Sequence, residues 1–166
     1  MPPVNIAVAG AGVIGRAHIA VIAQSSQCRL NAIADPSEAA QALAQEHGVP
    51  WFATLDQLLA AVSPDGVILA TPNAMHVPQA LQCIAAGVPV LVEKPIAHTV
   101  ADAQKLVQAT QAHQAKVLIG HHRAHSPIMR QAQAVIDEGR LGQLVSVVGS
   151  AMFYKPDDYF TQAPWR

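Results

Sequence analysis

Five short apolar runs divide the first 120 residues of this 166-residue chain, with stretches of helical periodicity between them. The runs lie at residues 4–9, 30–34, 66–70, 88–92 and 116–119. Because these runs are apolar on both faces, they predict strands buried on both sides, as in a parallel sheet between two helix layers. The alternation of strand and helix therefore predicts an α/β fold, with a doubly wound parallel sheet and right-handed crossovers.

Several of the intervening helices have recognisable beginnings. Ser37, Thr54 and Thr99 each stand where an N-cap is expected, directly before a helical pattern. Ser126-Pro127 combines a cap with a proline at the first helical position, and this pattern predicts a further helix that ends at Gly139. A short edge strand is predicted at residues 51–53.

The pattern changes after about residue 120. Residues 143–153 alternate between apolar and polar, which is typical of an antiparallel strand with one exposed face. We therefore predict a first domain over residues 1–120. Residues 121–166 would then hold a linking helix and the first strand of a truncated α+β domain. An unpaired strand is an edge to which other chains can add, so we expect self-association through it or disorder after about residue 140.

The composition excludes several classes of protein. With 51% hydrophobic and 13% charged residues the chain is unlike a disordered protein. A net charge of −1 without a run of Lys or Arg argues against a nucleic-acid partner. No 18-residue apolar stretch and no basic region before the first apolar run are present, so we expect neither a membrane span nor a secretory signal. Cys28 and Cys83 form no paired motif and predict reduced thiols in a cytoplasmic protein.

The first apolar run leads directly into the pattern G-x-G-x-x-G. The first glycine of this pattern permits a tight turn, the second leaves room for a diphosphate, and the third lets the helix pack close to the strand. The N-terminus of the helix that follows offers free N–H groups and a partial positive charge to that diphosphate. The motif predicts a dinucleotide-binding turn formed by Gly10, Gly12, Val13, Ile14 and Gly15.

An acidic residue completes this pattern. Asp35 stands 20 residues beyond Gly15 at the end of the second predicted strand, where a carboxylate accepts hydrogen bonds from the adenosine ribose. Its charge would repel a 2′-phosphate, and no Arg accompanies it in Pro36-Ser37, so we predict that NAD is preferred over NADP. The alternative is a glycine-rich turn and a helix-capping Asp without a ligand.

Two polar segments follow neighbouring strands at their carboxyl ends. Thr71-Pro72-Asn73 follows the run at 66–70, and Glu93-Lys94-Pro95 follows the run at 88–92. Ligands of open α/β sheets bind at this edge. A Glu-Lys pair directly after a buried strand is costly to keep dry unless it is paired or used. The alternative is a solvated charge pair in a loop.

Together, these motifs resemble the Gfo/Idh/MocA family of oxidoreductases. The resemblance rests on the glycine motif, Asp35, Thr71-Pro72-Asn73 with His76, Glu93-Lys94-Pro95, and the later Gly120-His121-His122-Arg123. It implies an N-terminal Rossmann domain and a C-terminal α/β domain built on a large, mostly antiparallel sheet. It also implies hydride transfer between a nicotinamide cofactor and a hydroxyl-bearing carbon of a sugar, inositol or related polyol.

The resemblance also implies roles for single residues. Lys94 would be the catalytic residue, in contact with the substrate hydroxyl and the nicotinamide ribose, because an ammonium stabilises the alkoxide-like oxygen left by hydride removal. Glu93 would lie on the nicotinamide side. The other residues that would line the cofactor are Thr71, Pro72, Asn73 and His76. The substrate side would include His122, Arg123, Trp165 and Arg166.

The family places an Asp and a His one helical turn apart in its second domain, and this sequence ends before such a motif. We therefore expect the cofactor half of an enzyme, inactive alone, with a small polyol or sugar-like substrate and a homo-oligomeric assembly. The alternatives are a non-catalytic NAD(P)-binding module, such as a redox sensor or partner subunit, and an imine or biliverdin-type reductase. His121, His122 and His125 lack a Cys or acid to complete a ligand set, so we expect no metal site.

Overall fold

A computed structural model describes residues 2–161, and at residues 158 and 160 it describes the backbone alone. The chain divides into two compact units after Gly120. The strands of the first unit are β1 Val4–Ala9, β2 Cys28–Ala34, β3 Trp51–Phe52, β4 Gly66–Leu69, β5 Val90–Val92 and β6 Val117–Ile119. Its helices are α1 Val13–Ala23, α2 Glu38–Glu46, α3 Leu55–Ala61, α4 His76–Ala85 and α5 Val100–Ala112, with a 3-10 turn at Asn73–Met75.

The six strands form one parallel sheet in the order β3-β2-β1-β4-β5-β6. The order reverses between β1 and β4, and this reversal is the switch point at which doubly wound folds bind ligands. The predicted α/β class and the predicted doubly wound parallel sheet are therefore confirmed. The short strand expected near residue 51 is also present, as β3 on one edge of the sheet.

Helices cover both faces of the central strands, and consecutive residues of these strands point to opposite helix layers. Ala7 and Ala9 of β1 pack in a cluster with residues of α3, α4 and α5. Val8, between them, packs in a second cluster with residues of α1 and α2, such as Ile19. This double burial explains why the strands read as continuous apolar runs in the sequence.

The N-caps predicted at the beginnings of three helices are confirmed. The side-chain oxygens of Ser37, Thr54 and Thr99 each accept a hydrogen bond from the backbone N–H three residues later, at 3.3, 3.3 and 3.1 Å. These bonds fix where α2, α3 and α5 begin, because the first N–H groups of a helix have no partner inside it.

The described part of the second unit, up to residue 161, contains a 3-10 turn at His122–His125 and two helices, α6 Pro127–Asp137 and α7 Asp157–Thr161. The predicted strand at residues 143–153 is wrong: residues 143–156 form neither helix nor strand. A strand needs a neighbour for its backbone hydrogen bonds, and no described segment pairs with this one. Val145 and Val147 remain 93% and 85% exposed. Self-association through this segment and a homo-oligomeric assembly stay predictions.

No helix in the described part of the chain has the length and apolar character that a membrane span requires.

Candidate functional site

The residues predicted to bind a cofactor come together at one edge of the sheet. Gly10 follows β1, Asp35 follows β2, Thr71 lies just beyond β4, and Glu93 follows β5. Because all of these strands are parallel, their carboxyl ends share an edge, and the switch point between β1 and β4 lies in the middle of it. The adenosine side of such a site belongs to β1–β3, and the nicotinamide side to β4–β6.

The three glycines of the turn meet different surroundings. Gly10 has φ +89°, and a Cβ there would lie 2.6 Å from the carbonyl carbon of Ala70. A Cβ at Gly15 would overlap the carbonyl oxygen of Gly10. At Gly12 a Cβ would meet nothing within 4 Å. The first and third glycines thus serve the packing of the protein itself, whereas the second borders open space, as a diphosphate cradle requires.

The N-terminus of α1 borders the same space. Gly12 is its N-cap, and no acidic side chain lies in the first turn. The N–H groups of Val13 and Ile14 have no partner inside the helix, and both residues are exposed, Val13 by 80%. This end of the helix therefore presents free donors and a partial positive charge, which suits an anionic group.

Asp35 is held firmly at the end of β2. Its Oδ2 accepts the N–H of Ala11 at 2.8 Å, and its Oδ1 accepts the hydroxyl and the N–H of Ser37 at 2.6 and 2.9 Å. Partial burial raises the pKa of Asp35, but these hydrogen bonds and the nearby charge of Arg16 outweigh burial and hold the pKa below its ordinary value. The carboxylate is therefore charged at neutral pH and fits the role of a ribose acceptor.

Arg16 is a site residue that the sequence analysis missed. Its Nε donates to the carbonyl of Ala11 at 3.1 Å, on the same turn that Asp35 stabilises. The only sequence signal was a basic residue directly after Gly15, and the close approach of its charge to Asp35 needed the fold.

His76 is placed differently from the prediction. Its side chain is buried, at 1% exposure, and its ring nitrogens contact two carbonyl oxygens, Thr71 at 2.9 Å and Pro95 at 2.8 Å. The ring therefore ties the loop after β4 to the loop after β5 and presents no free polar atom to a ligand. Thr71 in turn donates its hydroxyl to Oε1 of Gln79, at 2.6 Å, a partner that the sequence analysis also missed.

Pro72 and Asn73 lie half-buried at the beginning of the 3-10 turn before α4. Their position at the carboxyl edge of β4 leaves them available to a ligand at the switch point.

The end of β5 carries the Glu-Lys pair. Oε1 of Glu93 accepts Nε2–H of His18, on α1, at 2.8 Å, and Oε2 accepts the backbone N–H of Lys94 at 3.1 Å. The Glu93 side chain is 12% exposed. Lys94 is exposed, and its ammonium has no ion-pair partner among the described residues. The peptide bond between Lys94 and Pro95 is cis. In this pair the carboxylate of Glu93 is held by hydrogen bonds, whereas the ammonium of Lys94 is available to a ligand.

The residues of the second unit predicted to face substrate are described by themselves. His122 and Arg123 lie in the 3-10 turn and are exposed, with the Arg123 guanidinium 5.2 Å from the ring centroid of Phe153. Trp165 and Arg166 lie outside the described residues. Within residues 2–161 no three His, Cys, Asp or Glu side chains group as metal ligands would.

Comparison with known proteins gives a consistent result. Residues 4–121 match the Gfo/Idh/MocA oxidoreductase family, described by its NAD-binding Rossmann fold. The chain is 32% identical to the rhizopine catabolism protein MocA of Rhizobium meliloti over 143 residues, which cover 86% of this chain and 45% of that protein. It is 31% identical to an inositol 2-dehydrogenase of Rhizobium meliloti, over 96% of this chain and 49% of the relative. The chain therefore spans about half the length of these relatives.

Solved structures agree. The WlbA dehydrogenase from Bordetella pertussis, in complex with NADH and UDP-GlcNAcA, superposes with a TM-score of 0.92 at 28% identity, over 99% of this chain and 48% of that one. The scyllo-inositol dehydrogenase from Lactobacillus casei, with bound NAD(H) and scyllo-inositol, gives 0.80 at 26% identity, over 84% and 42%. The fold, the motifs and the match over residues 4–121 together show that this chain belongs to the Gfo/Idh/MocA family of oxidoreductases.

Proposed function

We propose that this chain is the cofactor-binding part of an NAD-dependent dehydrogenase acting on a hydroxyl-bearing carbon of a sugar, inositol or related polyol. The observation that carries the proposal is the convergence of Gly12, Asp35 and Lys94 at the carboxyl edge of one parallel sheet. Bound NAD would supply the hydride acceptor. The remaining chemistry belongs to the residues around it.

The β1–β3 side of the site would bind the adenosine diphosphate portion. The space in front of Gly12 and the free N–H groups of Val13 and Ile14 suit the diphosphate. The charged carboxylate of Asp35, already oriented by Ala11, would accept ribose hydroxyls. Since both oxygens of Asp35 are held, little side-chain entropy is lost on binding.

The β4–β6 side would hold the reacting end. Thr71, Pro72 and Asn73 would line the cofactor at the end of β4. The ammonium of Lys94 would orient the substrate hydroxyl and stabilise the negative charge that develops on its oxygen when hydride leaves the carbon. A module that only binds a dinucleotide needs no ammonium at the nicotinamide, so exposed Lys94, without an ion-pair partner among the described residues, favours an enzyme over a redox sensor.

The substrate class rests on the relatives. An inositol 2-dehydrogenase matches 96% of this chain, and the WlbA structure holds UDP-GlcNAcA. Inositol and the sugar of UDP-GlcNAcA both carry secondary hydroxyl groups on a six-membered ring. The relatives therefore favour a polyol or sugar-like substrate over an imine.

The preference for NAD over NADP depends on the balance between Asp35 and Arg16. The carboxylate would repel a 2′-phosphate, whereas the neighbouring guanidinium would attract one. Asp35 follows β2, where a carboxylate would accept ribose hydroxyls, and Arg16 donates to the carbonyl of Ala11. The geometry therefore supports NAD as the preferred cofactor.

Titration of the chain with NADH and NADPH tests this proposal. Wild type should bind NADH at least about tenfold more tightly than NADPH, and Asp35→Ala should narrow the ratio about tenfold because Arg16 then meets the 2′-phosphate unopposed. Glu46→Ala, at the exposed end of α2, is the matched control and should leave the ratio unchanged. Failure of the wild-type chain to bind either dinucleotide would falsify the proposal.

A further inference from the structure

We infer that His18 is a positioning residue: its hydrogen bond to Glu93 links the two halves of the dinucleotide site and directs Lys94 toward the reacting end of the cofactor. The inference rests on the proposed function, since it assumes a dinucleotide across the switch point. His18 lies on α1, and its Nε2 is 2.8 Å from Oε1 of Glu93. The two residues are 75 positions apart in the sequence.

The carboxylate of Glu93 is restrained on three sides. His18 donates to Oε1, and the backbone N–H of Lys94 donates to Oε2. The third side is Gly120, after β6, where a Cβ would lie 2.8 Å from Oε1 and 3.0 Å from Oε2. The backbone N–H of Glu93 is itself bonded to the carbonyl of Leu69 in β4, at 2.9 Å. The carboxylate is therefore held by a side chain of α1, by the backbone N–H of Lys94 and by contact with the residue after β6.

This restraint reaches Lys94 through its own backbone. Because Oε2 of Glu93 accepts the Lys94 N–H, the carboxylate fixes the direction in which the chain leaves β5. That backbone direction determines the position from which the exposed side chain of Lys94 extends. Removing the His18 donor leaves a largely buried carboxylate short of a partner, which is costly, so Glu93 would turn toward water and release the Lys94 N–H.

The link also joins two functional regions. α1 is the helix whose N-terminus borders the diphosphate cradle, and β5 belongs to the opposite half of the sheet. His18 and Glu93 thus connect the diphosphate end to the nicotinamide end across the switch point between β1 and β4. Losing the link should disturb the nicotinamide end and spare the adenosine end, which Asp35 and Gly12 hold independently.

Two ligands separate these ends. NADH occupies both halves of the site, whereas ADP has the adenosine and the diphosphate but neither the nicotinamide nor its ribose. Both are titrated calorimetrically into the 166-residue chain and its variants, and thermal unfolding is followed by circular dichroism. His18→Leu should weaken NADH binding about fivefold and change ADP binding less than about twofold.

Further variants exclude a merely structural role for His18. His18→Gln keeps a side-chain N–H that reaches about as far as Nε2, and it should recover most of the NADH affinity. Gly120→Ala disturbs the same carboxylate from the other side and should reproduce the NADH-selective loss. His113→Gln, on the exposed C-cap of α5, is the control and should change neither affinity.

A selective loss of NADH affinity in His18→Leu and Gly120→Ala, recovered in His18→Gln, supports the inference. Equal losses for both ligands, or no loss, overturn it while the proposed function stands, provided the wild-type chain binds both. A wild-type chain that binds neither ligand overturns both. If His18→Leu does not unfold cooperatively, Gly120→Ala and His18→Gln decide the question.

Discussion

The two units of the chain differ in how far their apolar side chains are buried. In the first unit Ala7, Val8 and Leu69 are fully buried, because helices cover both faces of the sheet. In the second unit none of the described residues is buried, and Val145 and Val148 are 93% and 92% exposed. Similar side chains therefore form a core only where the chain also supplies strands to pair with and helices to cover them.

The same contrast explains where a ligand can be bound. The first unit fixes Gly12, Asp35 and Glu93 on strands and helices that pack against each other, so each polar group has a defined direction. His122 and Arg123, in the second unit, lie exposed in a short 3-10 turn that contains no buried residue. A preorganised site among the described residues thus belongs to the first unit.

A pair of glycine substitutions gives the largest expected difference between the units. Gly10 and Gly142 both have positive φ, +89° and +65°, but only at Gly10 would a Cβ meet backbone, 2.6 Å from Ala70. Gly10→Ala should destabilise the protein by about 3 kcal/mol or more, from left-handed strain and steric overlap together. Gly142→Ala should cost only the left-handed strain, about 1–2 kcal/mol. Urea unfolding followed by circular dichroism measures both, and equal losses would contradict the contrast.

A matched valine substitution in each unit gives the next largest effect. Val8→Ala removes two carbons from a site of 0% exposure in the middle of β1, and should lower the free energy of unfolding by about 2 kcal/mol. Val147→Ala, at 85% exposure, should change it by less than about 0.5 kcal/mol. Denaturant unfolding again provides the measurement. A loss at Val147 as large as at Val8 would show that the second unit has a core of its own.

Much of the first unit could be predicted from sequence because its signals are local. The apolar run at 4–9, the caps Ser37 and Thr54, and the glycine turn each depend on residues a few positions apart. The position of Asp35 also followed from spacing, since it ends the strand next to the glycine turn. Local periodicity, capping and turn chemistry therefore suffice for the sheet and for the adenosine side of the site.

The rest could not be predicted because it depends on contacts between distant residues. Nothing in the sequence near His18 indicates that it meets Glu93, 75 residues away. The burial of His76 depends on two carbonyls in different loops, which only the assembled sheet brings together. The strand expected at 143–153 failed for a related reason: alternation describes a face, but pairing requires a partner that the described residues lack.

The reactivity of thiols in the two units tests the same difference in burial, with the smallest change to the protein. Cys83 is 0% exposed, and burial raises the pKa of its thiol to about 12. Because the thiolate is the reactive form, the neutral thiol of Cys83 should react only when the first unit opens. A thiol placed in the second unit by Val147→Cys should instead react freely, since position 147 is exposed.

The comparison is made in a Cys28→Ser background, because Cys28 is only partly buried. At pH 8 an aromatic disulfide reagent should modify the introduced thiol of Val147→Cys at least about a thousandfold faster than Cys83. Cys83 should react at a comparable rate only in denaturant, where burial no longer protects its thiol or raises its pKa. If both thiols react at similar rates in the native protein, the core around Cys83 opens as readily as the exposed segment, and the distinction between the two units fails.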